Sequence, residues 1–258
     1  MSKYSEMVDF KGKTVVVTGG LSGAGRLIAE VFIEAGADVV LTYNRSADAA
    51  ESLHAAHPDA NIKCYRLDQS DMGSIESFAG ALAGEGAKID CLVNNAGIYP
   101  ACQIDDITPE AWDAMMDTNT RGVFFLCKAL KPLMKEPASI VNISSINATN
   151  PAKALAHYGA SKAAVEMITR SLAQVYGDSG IRVNCIAPGL IFKEGQDEYI
   201  PGWSDSYKER SPLHRLVQAE EIGKTCLFLA SDLASAVTGQ TITVDCGIML
   251  APCFYNEC

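Results

Sequence analysis

The chain has 258 residues, a formal net charge of −10, and a composition of 48% hydrophobic and 20% charged residues. This length suits one large α/β domain or two small ones, and the composition excludes a disordered or fibrous protein. The negative charge argues against nucleic-acid or polybasic membrane partners, and no apolar run approaches the roughly 20 residues of a membrane span. The first residues contain no apolar signal-peptide core, so we expect a cytoplasmic protein.

Nine cysteines raise the alternatives of a disulfide framework or a metal site. No C-x-x-C motif occurs, and five cysteines lie singly inside apolar runs, namely Cys64, Cys91, Cys127, Cys185 and Cys226. Single cysteines in such surroundings are typical of buried, reduced thiols in a cytoplasmic protein. We therefore predict no metal site.

Short β-branched segments that are apolar nearly throughout recur along the chain, at 14–18, 38–43, 62–67, 90–94, 139–144, 181–187 and 241–245. Strands buried on both faces are typical of parallel sheets. Apolar residues at helical spacing lie between them, at 26–36, 108–134, 157–177 and 220–231. Seven strands alternating with about six helices predict a single α/β domain over 1–258, with a Rossmann-like, doubly wound parallel sheet.

Residues 190–216 interrupt this alternation with polar and aromatic residues and a Pro201-Gly202 pair. A long irregular segment in a compact domain is more often a lid than a linker, so we predict a substrate lid here. Aromatic residues of this segment, together with Tyr99, either form a wall of a substrate pocket or pack the lid onto its own domain: Phe192, Tyr199, Trp203 and Tyr207.

The first strand runs directly into a loop with glycines at 19, 23 and 25, after which a helix is predicted. Glycines let the backbone turn sharply and approach a ligand, and a helix N-terminus offers N–H groups to a pyrophosphate. A plain glycine-rich turn is the alternative. The position after the first strand favours dinucleotide binding.

The end of the second strand carries Tyr43-Asn44-Arg45, where NAD-binding proteins usually place an acid that binds the ribose hydroxyls. No carboxylate is present to repel a 2′-phosphate, and an arginine is close. NADP(H) is therefore the preferred cofactor, with NAD(H) possible. Two further turns, 94–97 and 188–189, follow the fourth and sixth strands at the same edge of the sheet, where ligands bind in such folds.

Tyr158 and Lys162 are four residues apart on one predicted helical face. A lysine beside a phenol favours the phenolate and lowers the phenol pKa, which suits a general acid and base near neutrality. His157 points about 100° away from Tyr158 on the helix and is not expected to take part. The Tyr-x-x-x-Lys pattern is short, so the rest of the chain has to support it.

The sequence resembles the short-chain dehydrogenase/reductase family, whose motifs appear in the family's order across residues 13–247. These are T-G-x-x-x-G-x-G at 18–25, Asp68, N-N-A-G at 94–97, Asn119, Ser145, Y-x-x-x-K at 158–162 and P-G at 188–189. Each motif alone is weak, whereas seven in order are specific.

The resemblance implies an enzyme that transfers a hydride between a nicotinamide cofactor and a secondary alcohol or ketone. It implies that Tyr158 exchanges a proton with the substrate oxygen and that Lys162 lowers the phenol pKa and hydrogen-bonds the nicotinamide ribose. Ser145 would donate to the same substrate oxygen; its position thirteen residues before Tyr158 selects it over Ser144, and alternation agrees because adjacent serines on a strand point opposite ways. Asn119 would break its helix locally and hold a water that links Lys162 to solvent.

The family's cofactor contacts fall on Gly19, Leu21, Ser22, Gly23, Ala24, Gly25, Asn44, Arg45, Asp68, Asn95, Ala96, Gly97, Tyr158, Lys162, Pro188, Gly189 and Ile191. The partner is then a small carbonyl or alcohol substrate. The apolar faces of helices 108–134 and 157–177 either pack within the subunit or, as in relatives, form the interface of a homotetramer or homodimer.

Three positions depart from the family pattern: Lys193 replaces a threonine that binds the nicotinamide carboxamide, Ala24 replaces an isoleucine, and Thr118 an aliphatic residue. Lys193 is either a functional replacement or a solvated lid residue. A rival interpretation is a nucleotide-sensing protein that keeps the fold and lacks the chemistry. The intact set of Asn119, Ser145, Tyr158 and Lys162 argues against it, since a sensor needs no paired acid and donor.

Overall fold

A computed structural model describes residues 6–45, 49–193 and 202–250, with only the backbone described at Trp203. Its seven strands form one sheet in the order β3-β2-β1-β4-β5-β6-β7, and every neighbouring pair is parallel. The strands are β1 Thr14–Val17, β2 Asp38–Tyr43, β3 Ile62–Arg66, β4 Ile89–Asn94, β5 Met134–Ile143, β6 Ile181–Pro188 and β7 Thr241–Val244. The predicted doubly wound parallel sheet is confirmed.

Helices cover both faces of this sheet. Those in the described ranges are α1 Gly23–Glu34, α2 Ala49–Ala56, α3 Met72–Gly84, α4 Pro109–Met116, α5 Gly122–Leu130, α6 Ala156–Tyr176, α7 Trp203–Arg210 and α8 Ala219–Ala230. Their number exceeds the expected six or so, because one predicted helix is split and part of the predicted lid is helical.

The sheet separates two apolar cores, and alternate residues of β1 face opposite sides. Val15 and Val17 pack with α1 and α8, whereas Val16 packs with α3 and α5. All three valines are completely buried. This burial on both faces is the physical reason that the strand is apolar at every position.

The single helix predicted over 108–134 is wrong. The structure divides it into α4, a π-helical segment Asp117–Arg121 and α5, followed by a 3-10 turn Lys131–Leu133. Pro132 lies in that turn, and proline cannot continue an α-helix because it lacks an N–H and clashes with the preceding turn. Strand β5 therefore begins at Met134, five residues earlier than expected.

The expectation that residues 190–216 are irregular is also wrong in part. Ile191 forms a parallel bridge with Val217, and α7 occupies 203–210. Tyr207 of α7 packs against the base of the segment, where its Oη accepts a hydrogen bond of 3.1 Å from the Leu190 backbone. Tyr199 and the rest of 194–201 lie outside the described residues, as does the Trp203 side chain.

Candidate active site

The glycine loop after β1 has the close approach that its sequence predicts. A Cβ on Gly25 would lie 2.2 Å from the Gly19 carbonyl oxygen, so no larger residue fits without moving the loop. Gly19 and Gly23 have φ of +64° and +51°, a region that side chains disfavour. Gly23 has nothing within 4 Å of the place a Cβ would take, so the backbone there faces open space.

The start of α1 offers backbone donors to an anion. Ser22 occupies the N-cap position without a side-chain capping bond, and the first turn contains no acidic residue. A helix N-terminus with available N–H groups and no carboxylate suits a pyrophosphate. Leu21 is buried in the core, so only its backbone can face a ligand, and Ala24 is half-buried. These observations fit a dinucleotide at this loop.

A threonine joins the glycine loop to the loop that follows β4. The Oγ1 of Thr18 accepts hydrogen bonds from the backbone of Asn95 and Ala96, at 3.0 and 2.9 Å. The Asn95 side-chain Nδ2 donates a hydrogen bond of 2.9 Å to the Thr18 carbonyl. Asn95 therefore fixes the two loops against each other, and Gly97 is exposed beyond them. The family motif includes this threonine, but sequence reasoning did not count it among the site residues.

The groups expected near the adenine ribose lie at the end of β2. Asn44 and Arg45 are exposed there, and Asn44 lies close enough to the Asp68 carboxylate to help lower its pKa. Hydrogen bonds from Ser70 lower the pKa of Asp68, which stays ionised. Arg66, on the neighbouring strand, donates to the Asn44 carbonyl at 3.3 Å and adds a second exposed guanidinium that sequence reasoning did not select. Its register opposite Tyr43 becomes evident only from the strand pairing.

The two serines after β5 point opposite ways, as alternation predicts. Ser144 is buried and its Oγ donates to Glu166 at 3.1 Å. The Ser145 hydroxyl lies close enough to Tyr158 to lower the pKa of the phenol, while its Oγ donates to the Asn147 side-chain oxygen at 3.2 Å and accepts from the Asn147 backbone at 3.1 Å. The structure therefore brings Ser145, and not Ser144, to the phenol.

Tyr158 and Lys162 lie together on α6, as their spacing requires, with the Lys162 Nζ 5.7 Å from the centre of the phenol ring. Lys162 is 5% exposed, and its Nζ donates to the Ile143 carbonyl at 2.7 Å. Burial lowers the pKa of Lys162 to about 8.

The expectation that Lys162 lowers the phenol pKa is wrong for this geometry. Burial raises the pKa of Tyr158, and the hydrogen bond with Ser145 only partly opposes that effect. Lys162 does not oppose that effect, because burial lowers its own pKa to about 8 and the group is uncharged in the pH range where the phenol titrates. At neutral pH the phenol is therefore protonated, which is the form that can donate a proton.

Asn119 lies in the π-helical segment, where the local break in the helix was expected. It is completely buried, and its side-chain amide makes two bonds of 2.8 Å with the backbone N–H and carbonyl of Ile98. Its Nδ2 also lies 3.1 Å from the Oγ of Ser161, the residue before Lys162. Asn119 therefore ties the loop after β4 to the helix that carries the tyrosine and lysine.

The loop after β6 completes the edge of the site. Pro188 is the last residue of the strand and Gly189 packs so closely that a Cβ would lie 2.8 Å from Asp245. Ile191 is half-buried in its bridge to Val217. Lys193 follows, and its Nζ donates to the Oη of Tyr99. This contact joins loops 94 residues apart, and no pattern in the sequence indicates it.

Several other side chains resolve alternatives raised by the sequence. His157 is completely buried, and neither ring nitrogen has a hydrogen-bond partner among the described residues. The seven cysteines in those residues are free. Within the same ranges, no three His, Cys, Asp or Glu side chains are grouped so as to hold a metal ion. No helix there is long and apolar enough to cross a bilayer.

Taken together, a glycine loop on a helix N-terminus and a Ser–Tyr–Lys cluster define a dinucleotide-dependent α/β oxidoreductase. A family model described as enoyl-(acyl carrier protein) reductase matches residues 19–249. 3beta-hydroxysteroid dehydrogenase 1 of Eggerthella lenta is 36% identical over 253 residues, which cover 95% of this chain and 97% of that protein.

Solved structures agree. A short-chain dehydrogenase/reductase of Brucella melitensis, described as a glucose/ribitol dehydrogenase, is 36% identical with a TM-score of 0.87, covering 93% of this chain and 98% of that one. A gluconate 5-dehydrogenase of Burkholderia cenocepacia, in complex with NADP and tartrate, is 29% identical with a TM-score of 0.89, covering 96% and 100%. The chain belongs to the short-chain dehydrogenase/reductase family and is an NAD(P)-dependent oxidoreductase.

Proposed function

We propose that the protein interconverts a secondary alcohol and a ketone, with Tyr158 as general acid and base. The observation that carries this proposal is the convergence of Ser145, Tyr158 and Lys162 at the carboxyl edge of the sheet, beside the loop that Asn119 holds. When bound, the nicotinamide cofactor supplies or accepts the hydride. Tyr158 gives its proton to the ketone oxygen during reduction and takes one from the alcohol during oxidation.

The neighbouring residues support each role. Ser145 donates a hydrogen bond to the same substrate oxygen and stabilises the negative charge that develops there. Lys162, with its pKa lowered to about 8, can bind the ribose of the cofactor and exchange protons near neutrality. Since the pKa of Tyr158 is raised, the phenol carries its proton at neutral pH, the form that donates during ketone reduction. The rate of alcohol oxidation should increase as the pH rises, because the phenol must first lose that proton.

The test is the Tyr158→Phe variant, which keeps the ring and removes the proton. We expect kcat to fall by about 10²–10⁴, the range of general acid–base groups, with cofactor affinity nearly unchanged. Tyr65→Phe is a matched control, since that phenol donates to the Glu85 carboxylate and Tyr65 is not one of the candidate site residues. Full turnover by Tyr158→Phe with ketone substrates would contradict the proposal, whereas no turnover of any ketone by wild type would favour the nucleotide-sensing alternative.

We further propose a preference for NADP(H) over NAD(H). Arg45 and Arg66 place two guanidinium groups near the end of β2, and no acid occupies the position of Tyr43. A charge-assisted contact contributes about 1.5–3 kcal/mol, so Arg45→Ala should lower the NADP-over-NAD ratio of kcat/KM by roughly tenfold to a hundredfold. Tyr43→Asp should lower it further. A wild type that works better with NAD would contradict this preference.

Assembly and cell location complete the proposal. The outer faces of α4, α5 and α6 expose Trp112, Phe124 and Met167, at 41%, 37% and 57%, and Ala160 and Ala163 are exposed nearby. Apolar surface of this kind favours burial against another copy, and we propose a homotetramer (or homodimer) formed by a single-domain chain in the cytoplasm. Light scattering of the purified protein measures the assembly directly.

A further inference from the structure

Tyr99 lies beside the reacting phenol and is not one of the family's motif residues. It follows the N-N-A-G loop and is 53% exposed. Its ring meets the Tyr158 ring edge-on, with centres 6.2 Å apart and planes at 62°. A substrate whose oxygen reaches Tyr158 must therefore pass close to Tyr99.

Lys193 extends this arrangement from the opposite loop. The residue is exposed, and its Nζ donates to the Oη of Tyr99 and lies 4.7 Å from the centre of that ring. The two distances, 4.7 and 6.2 Å, place the ammonium at most about 11 Å from the centre of the Tyr158 ring. A cation thus lies at the entrance to the site of a protein whose net charge is −10.

We propose that Lys193, held by Tyr99, binds a carboxylate of the substrate, so that the enzyme acts on hydroxy acids and the corresponding oxo acids. This inference rests on the proposed function, because it takes Tyr158 as the group that meets the reacting oxygen. During oxidation the carbinol carbon loses a hydride to the nicotinamide cofactor and its hydroxyl loses a proton to Tyr158. The carboxylate takes no part in bond making or breaking.

The distance between the Lys193 ammonium and the Tyr158 phenol limits the size of such a substrate. The reacting oxygen lies about 2.7–2.8 Å from the Tyr158 Oη, and the carboxylate lies at a similar distance from the ammonium. The upper bound of about 11 Å between the ammonium and the Tyr158 ring leaves room for a carboxylate up to several carbon atoms from the carbinol. The alternative is that Lys193 binds the neutral carboxamide of the cofactor, and substrate charge distinguishes the two roles.

The experiment compares acids with their own amides, which differ in charge and little in shape. The probes are D-gluconate against D-gluconamide and 4-hydroxypentanoate against 4-hydroxypentanamide, assayed for kcat/KM with both oxidised cofactors. We expect wild type to prefer at least one acid by 10- to 100-fold, the range of a charge-assisted hydrogen bond. Lys193→Met should remove this preference, so that kcat/KM for the acid falls toward that for its amide.

Two further variants sharpen the comparison. Lys193→Arg keeps the charge and should retain most of the preference, whereas Tyr99→Phe should reduce it because the ammonium loses its hydrogen bond to the Tyr99 Oη. Lys224→Met is the matched control: it removes an exposed lysine that pairs with Glu220 on α8, and it should leave the acid preference unchanged.

Binding measurements separate this inference from the proposed function. Acid and amide are titrated calorimetrically into Tyr158→Phe with oxidised cofactor present, and into the same variant carrying Lys193→Met. Tighter binding of an acid that depends on Lys193 supports the inference even if no alcohol is oxidised. Equal binding of acids and amides, or no binding of either acid, overturns it. Equal losses for acid and amide together with weaker cofactor binding in Lys193→Met would also overturn it, in favour of the carboxamide role.

Discussion

Replacing Lys162 with methionine should change how stability depends on pH. The lysine is 5% exposed, and burial lowers the pKa of its ammonium from 10.5 to about 8. In the unfolded chain the group keeps its ordinary pKa, so between pH 8 and 10.5 the unfolded state binds a proton that the folded state does not. Stability rises with pH wherever the unfolded state binds more protons. Lys162→Met lacks this contribution.

The magnitude follows from the two pKa values. A difference of about 2.5 pH units, at about 1.4 kcal/mol each, gives about 3 kcal/mol between neutral pH and pH 10.5. The free energy of unfolding of wild type should therefore rise relative to that of Lys162→Met by about 1.4 kcal/mol per pH unit between pH 8.5 and 10. The hydrogen bond from Lys162 to the Ile143 carbonyl changes the free energy of unfolding by a similar amount at each pH, so it does not produce this dependence on pH.

The assay is urea unfolding of both proteins at pH 7.5, 8.5, 9.5 and 10, at one protein concentration because assembly shifts apparent stability. Other groups that titrate in this range, such as tyrosines and cysteines, are shared by both proteins and largely cancel in the difference. A constant difference across the four pH values would refute the reasoning, since it would mean that Lys162 remains charged in the fold.

Other substitutions test separate parts of the structure. Gly25→Ala should weaken cofactor binding at least tenfold in a fluorescence titration, because its Cβ would lie 2.2 Å from a backbone oxygen, whereas Gly84→Ala meets nothing within 4 Å and should bind normally. Ser145→Ala should lower kcat/KM by about 10²–10³, and Ser144→Ala should instead lower the free energy of unfolding by about 1–3 kcal/mol. Arg182→Met should cost at least about 2 kcal/mol in urea unfolding, because its guanidinium donates to the last carbonyls of α8; unchanged stability would contradict this.

The elements that the sequence predicts well are those whose burial is periodic. The strands β1 and β2 are apolar on both faces, and α1 and α6 begin within three residues of their expected starts. The helix at 203–210 escaped prediction because WSDSYKER has no apolar stripe at helical spacing. A local apolar pattern predicts an element when that element buries one face in the core. It gives no signal for a polar helix that a few tertiary contacts stabilise.

Some features of the candidate site are likewise predictable from local sequence patterns, and others are not. Alternation along a strand distinguishes Ser145 from Ser144, since it is a local property of the backbone. The pKa of Tyr158 was not predictable in direction, because it depends on how desolvation compares with the neighbouring charge, and burial is a property of the whole fold. The contact between Tyr99 and Lys193 depends on two loops whose relative position no spacing encodes.

Two buried side chains determine which residue in that contact, Tyr99 or Lys193, has the fixed position. Thr18 holds the backbone of Asn95 and Ala96, and Asn119 holds both backbone groups of Ile98. Tyr99 is the next residue, so its backbone begins from a position anchored on two sides. Lys193 has a long, flexible stem and reaches Tyr99 from across the site. The cation at the entrance is therefore positioned by the same hydrogen bonds that order the loop beside Tyr158, which ties the recognition of a charged substrate to the geometry of the reacting phenol.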